Sequence, residues 1–237
     1  MKSKDILVLH GWNLSGKRFE SLVELLRKKG FRVLAPDFPG FGDEPAPLNA
    51  WHIWDYAEFL NGYITSHKLQ SPLLIGHSFG GRVALAYAAK YPKNCKGLIL
   101  TGAPGFSPVP KKKMLFFLIL AKLGGFFFSL PVINTFADKA RKLLYRAAGA
   151  HEFYRAEGAM RQTFKYIVSD DLSDYMQKIK VPTSLVWGEN DTIVPFSVAE
   201  QMHAVMPHSK LTVIPGETHA FPFQNPKRFL SIIEKDL

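Results

Sequence analysis

A chain of 237 residues that is 47% apolar and 21% charged, with one cysteine and a formal net charge of +10, suits one large domain or one domain carrying an insertion. The balance excludes collagenous, disulfide-stapled and intrinsically disordered chains, and no internal repeat points to a solenoid. Cys95 has no second cysteine to pair with, and Met1 leads within a few residues into an apolar run that leaves no room for a signal peptide; both features predict a cytoplasmic protein.

Asp5 to Leu9 reads as a short buried strand, ending in His10-Gly11-Trp12-Asn13. Phe19, Leu22, Val23, Leu25 and Leu26 then form one apolar stripe of a helix, which Gly30 is suited to stop. A second strand over Phe31 to Ala35 leads into the loop Asp37-Phe38-Pro39-Gly40-Phe41-Gly42. Trp51, Trp54, Phe59, Tyr63 and Ile64 mark an amphipathic helix, and Pro72 to Ile75 a third strand. A helix over Val83 to Ala89 stops at Pro92, and Lys96 to Leu100 gives a fourth strand. The alternation resumes at Thr183 to Trp187, a fifth strand, followed by a helix over about 197–206 and a sixth strand, Leu211 to Ile214. Asn225-Pro226 opens the last helix, with Asn as cap and Pro in the first turn. Strands and helices alternating in this way predict an α/β fold, a parallel sheet with right-handed crossovers and helices on both faces.

Residues 104–180 break the pattern. Pro104, Pro108 and Pro110 punctuate the exit from the fourth strand, and helical stretches follow over about 114–128, 137–148, 151–168 and 170–178. The segment reads as a helical insertion between strands four and five. Ligands of such sheets bind beyond the carboxyl ends of the strands, so an insertion leaving from there would lie over the site as a lid. It carries most of the charge excess, with a net +7 against +3 for the rest of the chain. No ladder of basic and aromatic residues suggests nucleic-acid recognition. An acidic partner or an anionic membrane surface would suit the charge. The run Met114 to Ile133, preceded by Lys111-Lys112-Lys113, is unusually apolar, but Lys122, Gly124-Gly125 and Pro131 interrupt it too early for a membrane span. Packing on the core, an apolar substrate wall and interfacial docking are the readings left for it.

The most informative stretch is Gly76-His77-Ser78-Phe79-Gly80-Gly81. A serine at the apex of a strand–turn–helix unit, flanked by glycines, matches a turn that lifts Oγ clear of the sheet. A serine hydroxyl needs a base, and the base needs an orienting carboxylate. The useful positions lie just past later strands: Asp191 in Gly188-Glu189-Asn190-Asp191, and His219 in Gly216-Glu217-Thr218-His219. The order Ser78, Asp191, His219 is that of nucleophile, acid and base in such sites. Glu189 is the nearest rival acid, Glu217 sits too close in sequence to His219, and Asp37 has a plain reading as a turn residue. His52, His67, His151, His203 and His208 fall on helices or their ends, whereas His10 and His77 flank motifs and are suited to hold loops. The backbone N–H groups of Phe79 and Trp12 are the expected oxyanion donors, and for the Trp12 side chain a pocket wall and simple packing are the two readings.

Taken in order, His10-Gly11, Asp37 to Gly42, the turn at Ser78 and the loops of Asp191 and His219 resemble the α/β-hydrolase fold superfamily, in its small form with a helical cap. The resemblance covers nearly the whole chain. It implies six parallel strands in the order 2-1-3-4-5-6, without the leading antiparallel strands of larger members. It also implies a core of residues 1–103 and 181–237 and a cap of 104–180. Haloalkane dehalogenases and epoxide hydrolases of this fold use aspartate where this chain has Ser78. Carbon–carbon bond hydrolases of the meta-cleavage type usually carry Asn where this chain has His77. The His10-Gly11-Trp12 loop is similar to that of carboxylesterases, including those acting on carrier-protein esters, where a basic lid meets an acidic carrier. The resemblance therefore implies a serine carboxylester hydrolase acting on a small-molecule ester, an acyl-chain ester or a thioester, with Phe116, Phe117 and Phe127 lining the acyl group. A carbon–carbon hydrolase, a slow small-molecule receptor and a peripheral lipid hydrolase are the alternatives. No metal or other cofactor is expected.

Overall fold

The computed structural model describes residues 4–106 and 158–237. Six strands, β1 (Asp5–Leu9), β2 (Arg32–Leu34), β3 (Leu73–His77), β4 (Gly97–Thr101), β5 (Thr183–Gly188) and β6 (Ser209–Ile214), form one parallel sheet ordered β2-β1-β3-β4-β5-β6. Fold class and strand order are those expected from the sequence. The crossovers are α1 (Glu20–Lys28), α2 (Ile53–Ser66), α3 (Phe79–Lys90) and α6 (Phe196–Val205), with α4 (Gly158–Ser169) and α5 (Ser173–Met176) preceding β5, and α7 (Phe221–Gln224) and α8 (Pro226–Ile233) closing the chain.

The continuous apolar strands are read out on both faces, because successive side chains point to opposite sides. On β1, Leu7 and Leu9 face a cluster built from α2, α3, α5 and α6, including Tyr56, Leu60, Val83, Met176 and Met202. Ile6 and Val8 face Leu22 and Leu26 of α1 and Phe229, Leu230 and Ile233 of α8. Each such side chain, fully buried, contributes about 1.5–3 kcal/mol of transfer free energy. The α1 stripe ends as expected: Gly30, at φ 85°, donates its N–H to Arg27, which releases the chain into β2.

Two local expectations shift. Asn225 occupies the cap position of α8 with Pro226 first in the helix, but its side chain makes no capping hydrogen bond. The helix expected over 170–178 is confined to Ser173–Met176. There the Asp171 carboxylate accepts the Ser173 N–H at 2.9 Å, an Asx turn that competes with helix. Phe116, Phe117, Phe127, Lys111, Lys112, Lys113 and most of the expected cap lie outside the described residues. Among the described residues no helix is long and apolar enough to cross a membrane.

Candidate active site

Five loops at the carboxyl ends of the strands assemble the site. Ser78 follows β3 directly and has φ 53° and ψ −116°, a backbone conformation that costs a non-glycine residue roughly 1–3 kcal/mol. The surroundings hold it there. Its N–H donates to the Thr101 carbonyl of β4 at 2.9 Å, and its own carbonyl accepts the Gly81 and Arg82 N–H groups at 3.0 and 3.2 Å. Close approach explains the flanking glycines. A Cβ at Gly80 would stand 2.3 Å from the Leu9 carbonyl oxygen, and one at Gly76 would stand 2.5 Å from Gly81 Cα.

Asp191 and His219 come together across the β5 and β6 loops. His219 Nδ1 donates to Asp191 Oδ2 at 2.7 Å, and the carboxylate side chain is almost wholly buried. The other oxygen, Oδ1, accepts the N–H groups of Ile193 and Val194 at 3.0 and 2.8 Å. Both oxygens therefore have partners, and the carboxylate can act only as acceptor and orienter. The loop is pinned from below by buried Trp187, whose indole N–H donates to Val194 at 2.8 Å. With its proton held on Nδ1, neutral His219 carries a free lone pair on Nε2, the form a general base requires.

The β4 exit links the two halves of the site. Thr101 holds the Ser78 N–H, and a Cβ on the next residue, Gly102, would lie 2.6 Å from the His219 ring and 3.3 Å from Asp191 Oδ2. The rival acids are engaged elsewhere. Glu189 accepts the Gly216 N–H at 3.0 Å, and Glu217 pairs with Arg228 at 2.5 Å. Asp37 accepts the N–H groups of Gly16 and Asp43 at 2.6 and 3.0 Å, the turn role expected of it.

Both flanking histidines hold loops. His10 Nε2 accepts the Phe38 N–H at 3.0 Å and Nδ1 donates to Gly11 at 2.8 Å, so the ring is neutral; burial lowers its pKa. His77 Nε2 donates to the His219 carbonyl at 2.9 Å. Burial and the adjacent His219 lower the His77 pKa to about 3. On the oxyanion side, Gly11 lies beside the serine, since a Cβ there would stand 3.3 Å from Ser78 Cβ. Neither the Trp12 nor the Phe79 N–H donates to a backbone carbonyl among the described residues. The Trp12 indole meets Phe41, Phe79 and Phe164 edge-on, with centroids 4.8, 5.4 and 5.0 Å apart.

An open groove of about 690 Å³ runs past Asn13 to Arg18 and Gly40 to Gly42. It touches neither Ser78 nor His219 and carries none of the chemistry. Among the described residues no group of acidic, histidine and cysteine side chains could hold a metal ion.

The sequence model for the family described as alpha/beta hydrolase fold matches residues 5–226. The chain is an α/β-hydrolase. Similar proteins include an AB hydrolase superfamily protein of Bacillus subtilis, 28% identical over 97% of this chain and 90% of that protein. Lipase 1 of Psychrobacter immobilis is 26% identical over 97% of this chain and 77% of its own length. Among solved structures, an esterase from Exiguobacterium antarcticum superposes with a TM-score of 0.74 at 24% identity, covering 98% of this α/β-hydrolase and 90% of the esterase.

Four residues around the site escape sequence reasoning: Gly102, Phe164, Met160, whose sulfur a Cβ on Gly40 would meet at 2.5 Å, and Arg82, whose buried guanidinium donates to the Pro104 carbonyl. Only Arg82 left a signal, a cation directly before the apolar run Val83-Ala84-Leu85-Ala86.

Proposed function

We propose that this α/β-hydrolase is a serine carboxylester hydrolase working through an acyl-enzyme. The observation that carries the reading is the 2.7 Å bond from His219 Nδ1 to buried Asp191, in a site whose candidate nucleophile has the positive φ of a strained turn. Ser78 Oγ attacks the ester carbonyl while His219 Nε2 takes its proton. The carbonyl π electrons move to oxygen, and the Trp12 and Phe79 N–H groups stabilise the oxyanion. Collapse expels the alkoxide, which receives the proton from His219. Water then repeats the two steps on the acyl-enzyme, releasing the acid. Asp191 stays ionised throughout and stabilises the imidazolium. The lipase relatives from Psychrobacter immobilis and Moraxella support an ester bond over a carbon–carbon bond.

Hydrolysis of p-nitrophenyl esters over a range of acyl lengths, with Ser78→Ala alongside, tests the reading. Turnover abolished in the variant is the expected result. Turnover retained in Ser78→Ala would reject the nucleophile. Absence of turnover in both would turn the assignment toward a carbon–carbon hydrolase or a receptor.

A further inference from the structure

Arg82 lies in the first turns of α3, just beyond Ser78, and is buried. A buried guanidinium must be matched by acceptors, and here the acceptors are main-chain carbonyls from two separate segments. Nη1 donates to Pro104 at 2.6 Å and Phe106 at 3.3 Å, on the chain leaving β4. Nη2 donates to Ile167 at 2.9 Å and to Asp170, at the end of α4. Both legs of the segment between β4 and β5 therefore converge on one side chain of the serine's own helix.

What α4 brings to the site gives this tether a consequence. Phe164 sets its ring against Trp12, and Met160 lies so close to Gly40 that a Cβ there would meet its sulfur at 2.5 Å. The same helix is also bonded to the start of α2, where buried Thr163 Oγ1 accepts the Trp51 N–H at 2.9 Å and Asp170 Oδ2 accepts the Ile53 N–H at 3.0 Å. The His52 ring stacks on Tyr166 at 4.1 Å. These contacts set where α4 sits along α2. Among the described residues, the guanidinium bonds the end of α4 and the β4 exit to α3 at one point, beside the Leu172 N–H that donates to Gly105 at 3.1 Å.

We propose that Arg82 is a specificity-positioning residue: without touching substrate, it fixes α4 so that Phe164 and Met160 close the apolar wall beside Trp12 and set which acyl groups fit above Ser78. A planar fork with parallel N–H groups can serve two legs at once, whereas an ammonium is a point charge that cannot span them.

The inference uses the ester reading for one of its two readouts. In the first, hydrogen exchange of the α4 amides is compared between the wild-type chain and Arg82→Lys. Loss of charge-assisted bonds at the helix end should accelerate α4 exchange at least about tenfold while β1 and β3 amides are unchanged. Unchanged α4 exchange would overturn the proposal, whatever the enzyme hydrolyses. In the second, acyl-length profiles are measured for Arg82→Lys, Phe164→Ala and the double variant. Arg82→Lys should cut discrimination between the best acyl length and acetate about tenfold, and the double variant should lose no more than Phe164→Ala alone. Additive losses, or an unmoved profile, would overturn it. Should Arg82→Lys fail to fold, Phe164→Ala decides, since an unchanged profile there removes the wall itself. Ser78 labelling by a fluorophosphonate keeps the two readings apart: no labelling in wild type sinks the serine hydrolase, and leaves the exchange result standing.

Discussion

The His77 ring donates to the main-chain carbonyl of His219 at 2.9 Å, so the residue before the candidate nucleophile holds the backbone of the candidate base. The ring packs against Phe19 and Phe223, with centroids 5.7 and 5.5 Å away. His77→Phe would keep that bulk and remove the donor. On the proposed mechanism, kcat should fall about 10- to 100-fold with KM little changed, because the loss misplaces the base and leaves the ester pocket intact. Steady-state kinetics on one ester separates the two constants. An unchanged kcat would remove His77 from the positioning machinery.

The same burial predicts acid lability with a definite sign. His77 has its pKa lowered to about 3, and His10 is lowered too, against an ordinary value near 6.5. The unfolded chain therefore binds protons that the folded chain refuses. The stabilising contribution of each histidine is complete above about pH 6.5 and falls at lower pH, by up to about 1.4 kcal/mol per pH unit, and for His77 the fall continues toward about pH 3. Urea melts from pH 7 to pH 4 should show this fall, with a shallower slope in His77→Phe. Equal slopes would place the acid sensitivity elsewhere.

Two glycines should respond in opposite directions to alanine. Gly62 lies inside α2 with nothing within 4 Å of a built Cβ, so Gly62→Ala should stabilise by about 0.5–1 kcal/mol. That corresponds to a rise of about 1–4 °C in Tm for a chain of this size. Gly80→Ala would drive a Cβ into the Leu9 and His10 carbonyls at 2.3 and 2.6 Å. Backbone cannot swing aside as a side-chain tip can, so the variant should lose soluble folded protein or melt many degrees lower. Calorimetry of the pair decides both. A Gly80→Ala protein that melts like wild type would mean that β1 and α3 are not held this close.

How much of this could be read in the chain follows from the range of each interaction. The strand–turn–helix around Ser78 is a local signal, and the loops of Asp191 and His219 are placed by strand ends that hydrophobic runs reveal. The strand order came from the family resemblance and was found in the sheet. What stayed hidden depends on contacts between distant segments. Arg82 finds Ile167 and Asp170 more than eighty residues away, and His52, which reads only as a residue on a helix or at its end, stacks on Tyr166. Periodicity assigns each of these to a helix and says nothing about which carbonyl or ring it meets. The three phenylalanines expected to line the acyl group lie outside the described residues, and Phe164 on α4 supplies an aromatic contact to Trp12 that no motif marks.

Trp187 is the support beneath the acidic loop. Its indole N–H donates to the Val194 carbonyl, while the Val194 N–H donates to Asp191 Oδ1. Trp187→Phe should leave that buried carbonyl unsatisfied, costing about 1–3 kcal/mol of stability, and should lower kcat through a looser Asp191. Melting and kinetics together test it; a variant with lower stability and full kcat would confine Trp187 to packing.

Asp191→Asn provides the sharpest chemical test of the proposed triad. The carboxylate has two different tasks, with Oδ1 accepting two backbone N–H groups and Oδ2 accepting His219 Nδ1–H. An asparagine has one acceptor oxygen, and the two backbone donors, which cannot change, should claim it. Its NH₂ then faces His219, which can meet it only by baring Nδ1 and moving its proton to Nε2. That tautomer cannot accept the Ser78 proton. Since shape and packing are conserved, KM and melting temperature should hardly change, while kcat at neutral pH should drop about 10⁴-fold, the effect of this exchange in serine triads. Activity should return partly at high pH, where hydroxide substitutes for the missing base. A loss of less than about tenfold would mean that Asp191 does not orient the base, and the search would pass to Glu189.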